Sequence, residues 1–250
     1  MASIGPPPPY KAPVGTFASP APMAAPPADS ASKATKIYAN ANLTKADLKG
    51  KQYMLAVDMS GSMAIDDITD VNGNERSRWD EMQESVLTFA EVMDTLDPDG
   101  IDFTLFNDAH RWQRGVHKDD IAAELKKQGP RGGTVLAPVL QAAFDEFFKK
   151  MEPTIIVVIS DGCPEDKDAV IKCIVAASKK LAERKGKDSD LGLQIVQVGT
   201  DKGARAFLQM LDDQLQEKYG APFDIVDTTA MDEVAKVGGL KQVLLNAIND

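Results

Sequence analysis

Three short motifs carry oxygen-bearing side chains at positions where chemistry could take place. Asp58-Met59-Ser60-Gly61-Ser62 directly follows an apolar run, Gly132-Gly133-Thr134 precedes an amphipathic segment, and Ser160-Asp161-Gly162 ends a second apolar run. Together they hold two carboxylates and three hydroxyls, on Asp58, Asp161, Ser60, Ser62 and Thr134. Hard cations take oxygen ligands, and Mg²⁺ needs only one or two carboxylates. The motifs therefore predict a site for one divalent ion that keeps an open position for an acidic group of another molecule.

The same residues are poorer candidates for catalysis. Asp58 has the position of the nucleophile in haloacid-dehalogenase-like phosphatases, but that chemistry needs a second carboxylate two residues later, where Ser60 stands. Ser60 does not lie in a Gly-x-Ser-x-Gly turn. The two histidines, His110 and His117, fall near a predicted edge hairpin, where we expect them to be solvated. No phosphate-binding glycine motif is present. We expect no enzymatic activity, and a metal-dependent phosphohydrolase remains the alternative.

The elements that must position these motifs alternate between strands and helices. Apolar patterning predicts six strands, over residues 53–57, 101–106, 111–117, 154–159, 193–198 and 223–226. Helical spacing predicts helices over residues 79–96, 119–128, 136–147, 170–181, 204–218 and 231–248. This order implies an α/β, Rossmann-like, doubly wound and mainly parallel six-stranded sheet with helices on both faces. Such sheets bind ligands at the carboxyl ends of their strands, which is where the motifs fall.

The three motifs, in this order and strand context, resemble the metal-ion-dependent adhesion site of von Willebrand factor A domains. The resemblance covers about residues 51–248, and all five site positions match without substitution. It implies that Ser60, Ser62 and Thr134 contact the ion directly or nearly so. It also implies that Asp58 and Asp161 act largely through water or by holding the hydroxyls.

The same resemblance implies a von Willebrand factor A domain over residues 49–250 that binds or scaffolds proteins. One Mg²⁺, or Mn²⁺ or Ca²⁺ in its place, would bind an Asp or Glu of a protein partner. The segments at 78–82 and 224–228 resemble an intracellular branch of the family. That branch includes tellurium-resistance and other stress-response systems, and family members also serve as adaptors for AAA+ ATPases.

Composition limits the partners and the compartment that we expect. The net charge is -10, and Lys and Arg do not cluster as nucleic acid or an anionic membrane would require. No apolar run approaches the ~20 residues of a membrane span. The two cysteines, Cys163 and Cys173, are expected to be reduced thiols, with Cys163 half-buried and inert. These features predict a cytoplasmic protein.

Two polar segments lie outside this pattern. Residues 1–48 are rich in Pro and Ala and are predicted to be disordered, because they cannot bury enough apolar area to offset the entropy of ordering. Within them, Pro7-Pro8-Pro9-Tyr10 fits a WW-domain ligand, with a flexible spacer as the alternative. Residues 66–81 form a polar loop beside the predicted site. In that loop Asp70, Asn72, Asn74 and Glu81 loosely resemble a calcium loop, although Glu75 stands where glycine is needed.

Overall fold

The computed structural model describes residues 50–69 and 73–230. The strands of the main sheet are β1 (Gln52–Asp58), β4 (Ile101–Phe106), β5 (Gln113–Val116), β6 (Thr154–Ser160), β7 (Leu191–Gln197) and β8 (Val226–Thr229). The strands β2 (Asp66–Thr69) and β3 (Glu75–Ser77) form a separate pair. The helices are α1 (Arg78–Leu96), α2 (Lys118–Lys127), α3 (Leu136–Lys150), α4 (Lys167–Glu183) and α5 (Lys202–Tyr219). Two 3₁₀ turns cover Gly61–Ala64 and Asp188–Asp190. The predictions for residues 1–48 and 231–248 lie outside the described residues.

The six strands follow the order β5-β4-β1-β6-β7-β8, and only β5 runs antiparallel to its neighbour. After β1 the chain continues to β4 on one side of it and later returns to β6 on the other side. The gap between the carboxyl ends of β1 and β6 is therefore the topological switch point, where open α/β sheets bind ligands. The predicted α/β class, the parallel pairing and the number of strands are confirmed.

Alternate residues of each strand pack on opposite faces of the sheet. In β1, Leu55 and Val57 belong to an apolar cluster with α1 and α2, whereas Met54 and Ala56 belong to a cluster with α3, α4 and α5. Every side chain of β6 is buried, as expected for a strand covered on both faces. The apolar runs in the sequence are unbroken because helices cover the sheet on both sides.

The described residues of the polar segment at 66–81 form regular structure where a loop was predicted. They include an antiparallel pair, β2 (Asp66–Thr69) and β3 (Glu75–Ser77), and α1 already begins at Arg78. Ile68 joins the apolar cluster under α1, which anchors the hairpin although its other residues are mostly polar. Of the residues that suggested a calcium loop, Glu81 pairs with Arg76 at 3.2 Å, while Asp70 and Asn72 lie outside the described residues.

The last strand begins three residues later than predicted, at Val226 instead of Phe223. The backbone N–H of Phe223 donates to Ser178 Oγ at 3.0 Å, and Ser178 Oγ donates to the carbonyl of Phe223 at 3.1 Å. Phe223 is thus bound to a side chain of α4. The polar stretch after Val226 forms the strand because Thr228 donates from its amide and its hydroxyl to Asp212, each at 2.9 Å. Side-chain contacts with two helices therefore decide where this strand begins.

No helix within the described ranges has the length and apolar character needed to cross a bilayer. The free cysteines are Cys163, which is exposed, and Cys173, which is buried. The predicted half-burial of Cys163 is therefore wrong. Burial raises the pKa of the Cys173 thiol to about 12, so that this thiol stays protonated.

Replacing Phe144 with alanine should lower the free energy of unfolding by about 3–5 kcal/mol, because it leaves a cavity between α3 and the sheet. Urea denaturation measures the loss. Tyr219→Ala is the matched control, since Tyr219 ends α5 and is 41% exposed; its cost should be about 1 kcal/mol or less. Equal losses in the two variants would contradict the described core.

Candidate metal centre

Asp58 ends β1 as a fully buried carboxylate held by two hydrogen bonds. Its Oδ1 accepts from the backbone N–H of Ser60 at 2.7 Å, which folds the chain sharply after the strand. Its Oδ2 accepts from Ser160 Oγ at 2.5 Å. The parallel register pairs Val57 with Ile159, so the next residues, Asp58 and Ser160, meet at the switch point. Ser160 was part of a predicted motif, but its contact with Asp58 was not predicted.

Burial raises the pKa of Asp58 from its ordinary value of 3.8 to about 6. The hydrogen bonds from Ser160 and Ser60 oppose this rise, and the nearby charge of Asp161 adds to it. The shift corresponds to about 3 kcal/mol of unfavourable free energy for ionised Asp58 relative to water. None of the ion pairs between described residues includes Asp58. A cation bound beside this carboxylate would remove much of that unfavourable energy.

Ser60 and Ser62 present their hydroxyls side by side after the turn. The two Oγ atoms lie 3.1 Å apart, close enough for a hydrogen bond. Ser60 is buried and Ser62 is half-buried within the 3₁₀ turn at Gly61–Ala64. The two hydroxyls of this motif therefore lie close together.

The loop that carries Thr134 is bound to this turn through its backbone. Gly61 N–H donates to the carbonyl of Gly132 at 3.0 Å, and Arg131 N–H donates to the carbonyl of Met59 at 2.7 Å. Gly132 has φ +77°, which favours glycine, and a Cβ there would lie 2.4 Å from a carboxylate oxygen of Asp108, which would have to move. Asp108 also accepts from the N–H of Gly133 at 2.9 Å. Thr134 itself is buried, 6% exposed, at the same edge of the sheet.

Asp161 follows β6 and is 5% exposed. Its Oδ2 accepts from Arg78 Nη1 at 3.1 Å, a contact that the sequence did not predict. Arg78 also binds Asp67 through two parallel hydrogen bonds, at 2.9 and 2.6 Å. The described hydrogen bonds therefore link Asp58, Ser60 and Ser62 directly. Thr134 reaches the same edge through backbone bonds, and Asp161 stands on the adjacent strand end with a basic side chain as its partner.

The chemistry of these donors fits a small hard cation. Among the described residues no three carboxylate, imidazole or thiol groups are grouped as metal ligands, so the two carboxylates here would act together with hydroxyls. Mg²⁺ keeps several waters and needs few anionic ligands, whereas Ca²⁺ sites of high affinity need more carboxylates. The histidines contribute nothing to the site. His117 is largely exposed, with Nδ1 3.0 Å from Asp94 Oδ1. His110 is half-buried, against the expected solvation, and burial lowers its pKa.

In the absence of divalent ions, the stability of the protein should depend on pH through Asp58. Its pKa is raised in the folded state, so the unfolded state loses its proton first, and stability falls as pH rises from about 4 through about 6. Asp58→Asn removes this dependence. In EDTA, the variant should be more stable than the wild type by about 2–3 kcal/mol at pH 7 and by little at pH 4.

Urea denaturation at a series of pH values checks this difference. Asp212, whose pKa burial raises to about 6, is present in both proteins and cancels in the comparison. A difference that stays constant across pH would contradict a buried, ionisable Asp58.

Residues 53–164 match the family model of the von Willebrand factor type A domain. Comparison with curated proteins found no match. The fold is similar to an aerotolerance-related membrane protein from Bacteroides fragilis, with 17% identity, a TM-score of 0.51, and coverage of 80% of this chain and 99% of that one. It is also similar to the PilB minor pilin from Streptococcus sanguinis, with 14% identity, a TM-score of 0.53, and coverage of 78% and 59%.

A third similar structure is a von Willebrand factor type A protein from Catenulispora acidiphila, with 15% identity and a TM-score of 0.51. The match covers 79% of this chain and 42% of that protein. The chain therefore spans less than two thirds of the length of both the pilin and this relative. At these identities the likeness shows the fold alone. The matched family model covers the strand-end motifs, and the sheet has the strand order and helix layers described above. Residues 53–164 are therefore similar to a von Willebrand factor type A domain, and the fold agrees with that similarity.

Proposed function

We propose that this domain binds a protein partner through one divalent cation, held by Asp58, Ser60, Ser62, Thr134 and Asp161, and that the partner supplies an Asp or Glu side chain to that ion. Mg²⁺ is the proposed ion, and Mn²⁺ or Ca²⁺ could replace it. The observation that carries the proposal is Asp58, a fully buried carboxylate that, among the described residues, receives its hydrogen bonds from neutral groups. The family often mediates protein–protein interaction, which agrees with this role.

Each residue has a distinct part in the proposed site. Ser160 Oγ and the N–H of Ser60 each donate to one oxygen of Asp58, and together they fix the orientation of the carboxylate. The paired hydroxyls of Ser60 and Ser62 can rotate so that their lone pairs face one point. The backbone bonds of Gly132 and Arg131 hold the Thr134 loop against the same turn. When bound, the ion supplies residual positive charge and an open coordination position for a carboxylate.

The rival enzymatic function lacks a residue that it needs. A phosphatase with Asp58 as nucleophile requires a general acid two residues on, and that position holds buried Ser60, whose hydroxyl faces Ser62 at 3.1 Å. We therefore propose a domain without catalytic activity. Hydrolysis of a model phosphate ester that requires Mg²⁺ and is lost in Asp58→Asn would overturn this choice. Service as an adaptor in an ATPase or stress-response complex is a narrower form of the same binding function, and the cytoplasmic setting stays a prediction.

Ion binding should depend on the hydroxyl of Thr134. Thr134→Val keeps the shape of the side chain and removes one oxygen, so we expect Mn²⁺ affinity to fall by about tenfold or more. Titration followed by the electron paramagnetic resonance signal of free Mn²⁺ measures it. Thr154→Val is the control, because Thr154 is equally buried but begins β6, at the amino end of the strand. The idea fails if wild-type protein takes up no Mn²⁺, or if both variants bind it equally well.

Partner capture should require both the ion and Asp58. Affinity purification with Asp58→Asn, or with wild-type protein in EDTA, should lose the same set of partners. Asp212→Asn should keep them, since Asp212 is a half-buried acid that also has a raised pKa but binds Thr228. Partners that persist in EDTA would rule out capture through the ion. If the ion only stabilises the fold, its removal will lower the melting temperature and leave those partners bound.

A further inference from the structure

Arg78 is the one basic side chain that touches a proposed ion ligand among the described residues. It begins α1, and its guanidinium contacts Asp67 on β2 and Asp161 at the end of β6. The side chains of Arg78 and Asp161 are 8% and 6% exposed, and that of Asp67 is 22% exposed. The group is therefore a nearly buried ion cluster next to the proposed cation, where charges interact more strongly than in water.

The fold leaves this guanidinium little freedom to move away. A Cβ on Gly199 would lie 2.3 Å from Nε of Arg78, so the segment just after β7 packs directly against it. Gly199 has φ +85°, which also favours glycine. On the other side, Asp67 grips the guanidinium with two hydrogen bonds, and Asp67 is itself 3.4 Å from Thr200 Oγ1. Arg78 is fixed between the hairpin and the sheet, with Nη1 directed at Asp161.

The guanidinium keeps its charge at every physiological pH, and Asp67 raises its pKa further. Part of the negative charge of Asp161 is therefore already compensated before any cation binds. The same positive charge repels a divalent ion at the site. Asp58 is then the only ligand carboxylate without a basic partner in the part of the chain described.

Two effects of removing Arg78 oppose each other, and the backbone around Asp161 decides between them. Loss of the hydrogen bond would allow the Asp161 side chain to move, which would weaken ion binding. Loss of the positive charge would strengthen ion binding. The carbonyl of Ser160 accepts from Val198 N–H at 2.8 Å, and Gly162 N–H donates to Ser160 Oγ at 3.1 Å. These bonds hold the chain on both sides of Asp161 without Arg78, so the charge effect should dominate.

We propose that Arg78 is a residue that sets the affinity of the site: by compensating Asp161, it weakens the binding of the ion alone and leaves the bound ion more charge with which to attract a carboxylate. This inference rests on the proposed function. The carboxylate of the partner then contributes to the affinity for the ion, so the ion and the partner bind cooperatively.

Mn²⁺ titration of the full chain at neutral pH tests the proposal with variants that remove either a positive or a negative charge near the site. Arg78→Gln removes the positive charge and keeps a hydrogen-bond donor, and should bind Mn²⁺ about tenfold more tightly than wild type. Asp67→Asn leaves Arg78 without its main counter-ion and should bind Mn²⁺ several-fold more weakly. Arg78→Lys keeps the charge without the two-pronged geometry and should stay close to wild type. Arg76→Gln is the control, because Arg76 pairs with Glu81 and Glu84 away from the site.

Sodium acetate serves as a carboxylate probe in the same titrations, with sodium chloride at equal ionic strength as its control. Acetate should tighten Mn²⁺ binding to wild type and should do so less in Arg78→Gln. Arg78→Gln and Asp67→Asn that both bind Mn²⁺ more weakly would show that Arg78 only positions Asp161, and would overturn the proposal. If Arg78→Gln does not fold, weaker Mn²⁺ binding by Asp67→Asn together with unchanged binding by Arg78→Lys still supports the charge effect, whereas weaker binding by both variants would overturn it. Wild type that binds no Mn²⁺ would refute the proposed function itself, whereas wild-type binding with no change in Arg78→Gln would refute this inference alone.

Discussion

Desolvation of the Asp58 carboxylate is the constraint around which the carboxyl edge of the sheet is organised. The strand that carries it is buried on both faces, so the carboxylate at its end is shielded from water. An ionised acid in that position is tolerated only if hydrogen bonds and nearby positive charge replace its hydration. Ser160 and the amide of Ser60 supply the hydrogen bonds. The raised pKa shows that they do not replace that hydration in full.

The remaining loops of the edge are held by backbone contacts. Carbonyls of Met59 and Gly132 accept from N–H groups of the opposing loop, and the carbonyl of Thr134 accepts from Glu165 N–H at 3.1 Å. Backbone bonds of this kind leave the side-chain hydroxyls free to turn toward a ligand. Glycine is favoured at 132 because its φ is +77° and a Cβ there would displace the Asp108 side chain.

The two carboxylates of the proposed site, Asp58 and Asp161, have different hydrogen-bond partners. Asp58 has neutral hydrogen-bond donors, whereas Asp161 has the guanidinium of Arg78. Ion pairs buried to this degree are costly to separate, because each charge would be left without a partner in a medium of low dielectric constant. Asp67 of β2 binds the same guanidinium, so Arg78 links the hairpin formed by β2 and β3 to the end of β6, in addition to the packing of Ile68. The placement of the hairpin and the electrostatics of the proposed site therefore depend on the same residue.

The sequence alone determined the six strands of the main sheet, the five described helices and the five candidate ligand positions, because these follow from local patterns. Apolar runs, helical spacing and the Asp, Ser and Thr residues after them can be recognised without knowing which segments meet. Only the tertiary structure decided that Ser160 reaches Asp58 and that Arg78 reaches Asp161, partners 102 and 83 residues apart in the chain. The start of β8 was decided in the same way, by Ser178 and Asp212. Such contacts depend on strand register and on the distance between loops, and no local pattern encodes either quantity.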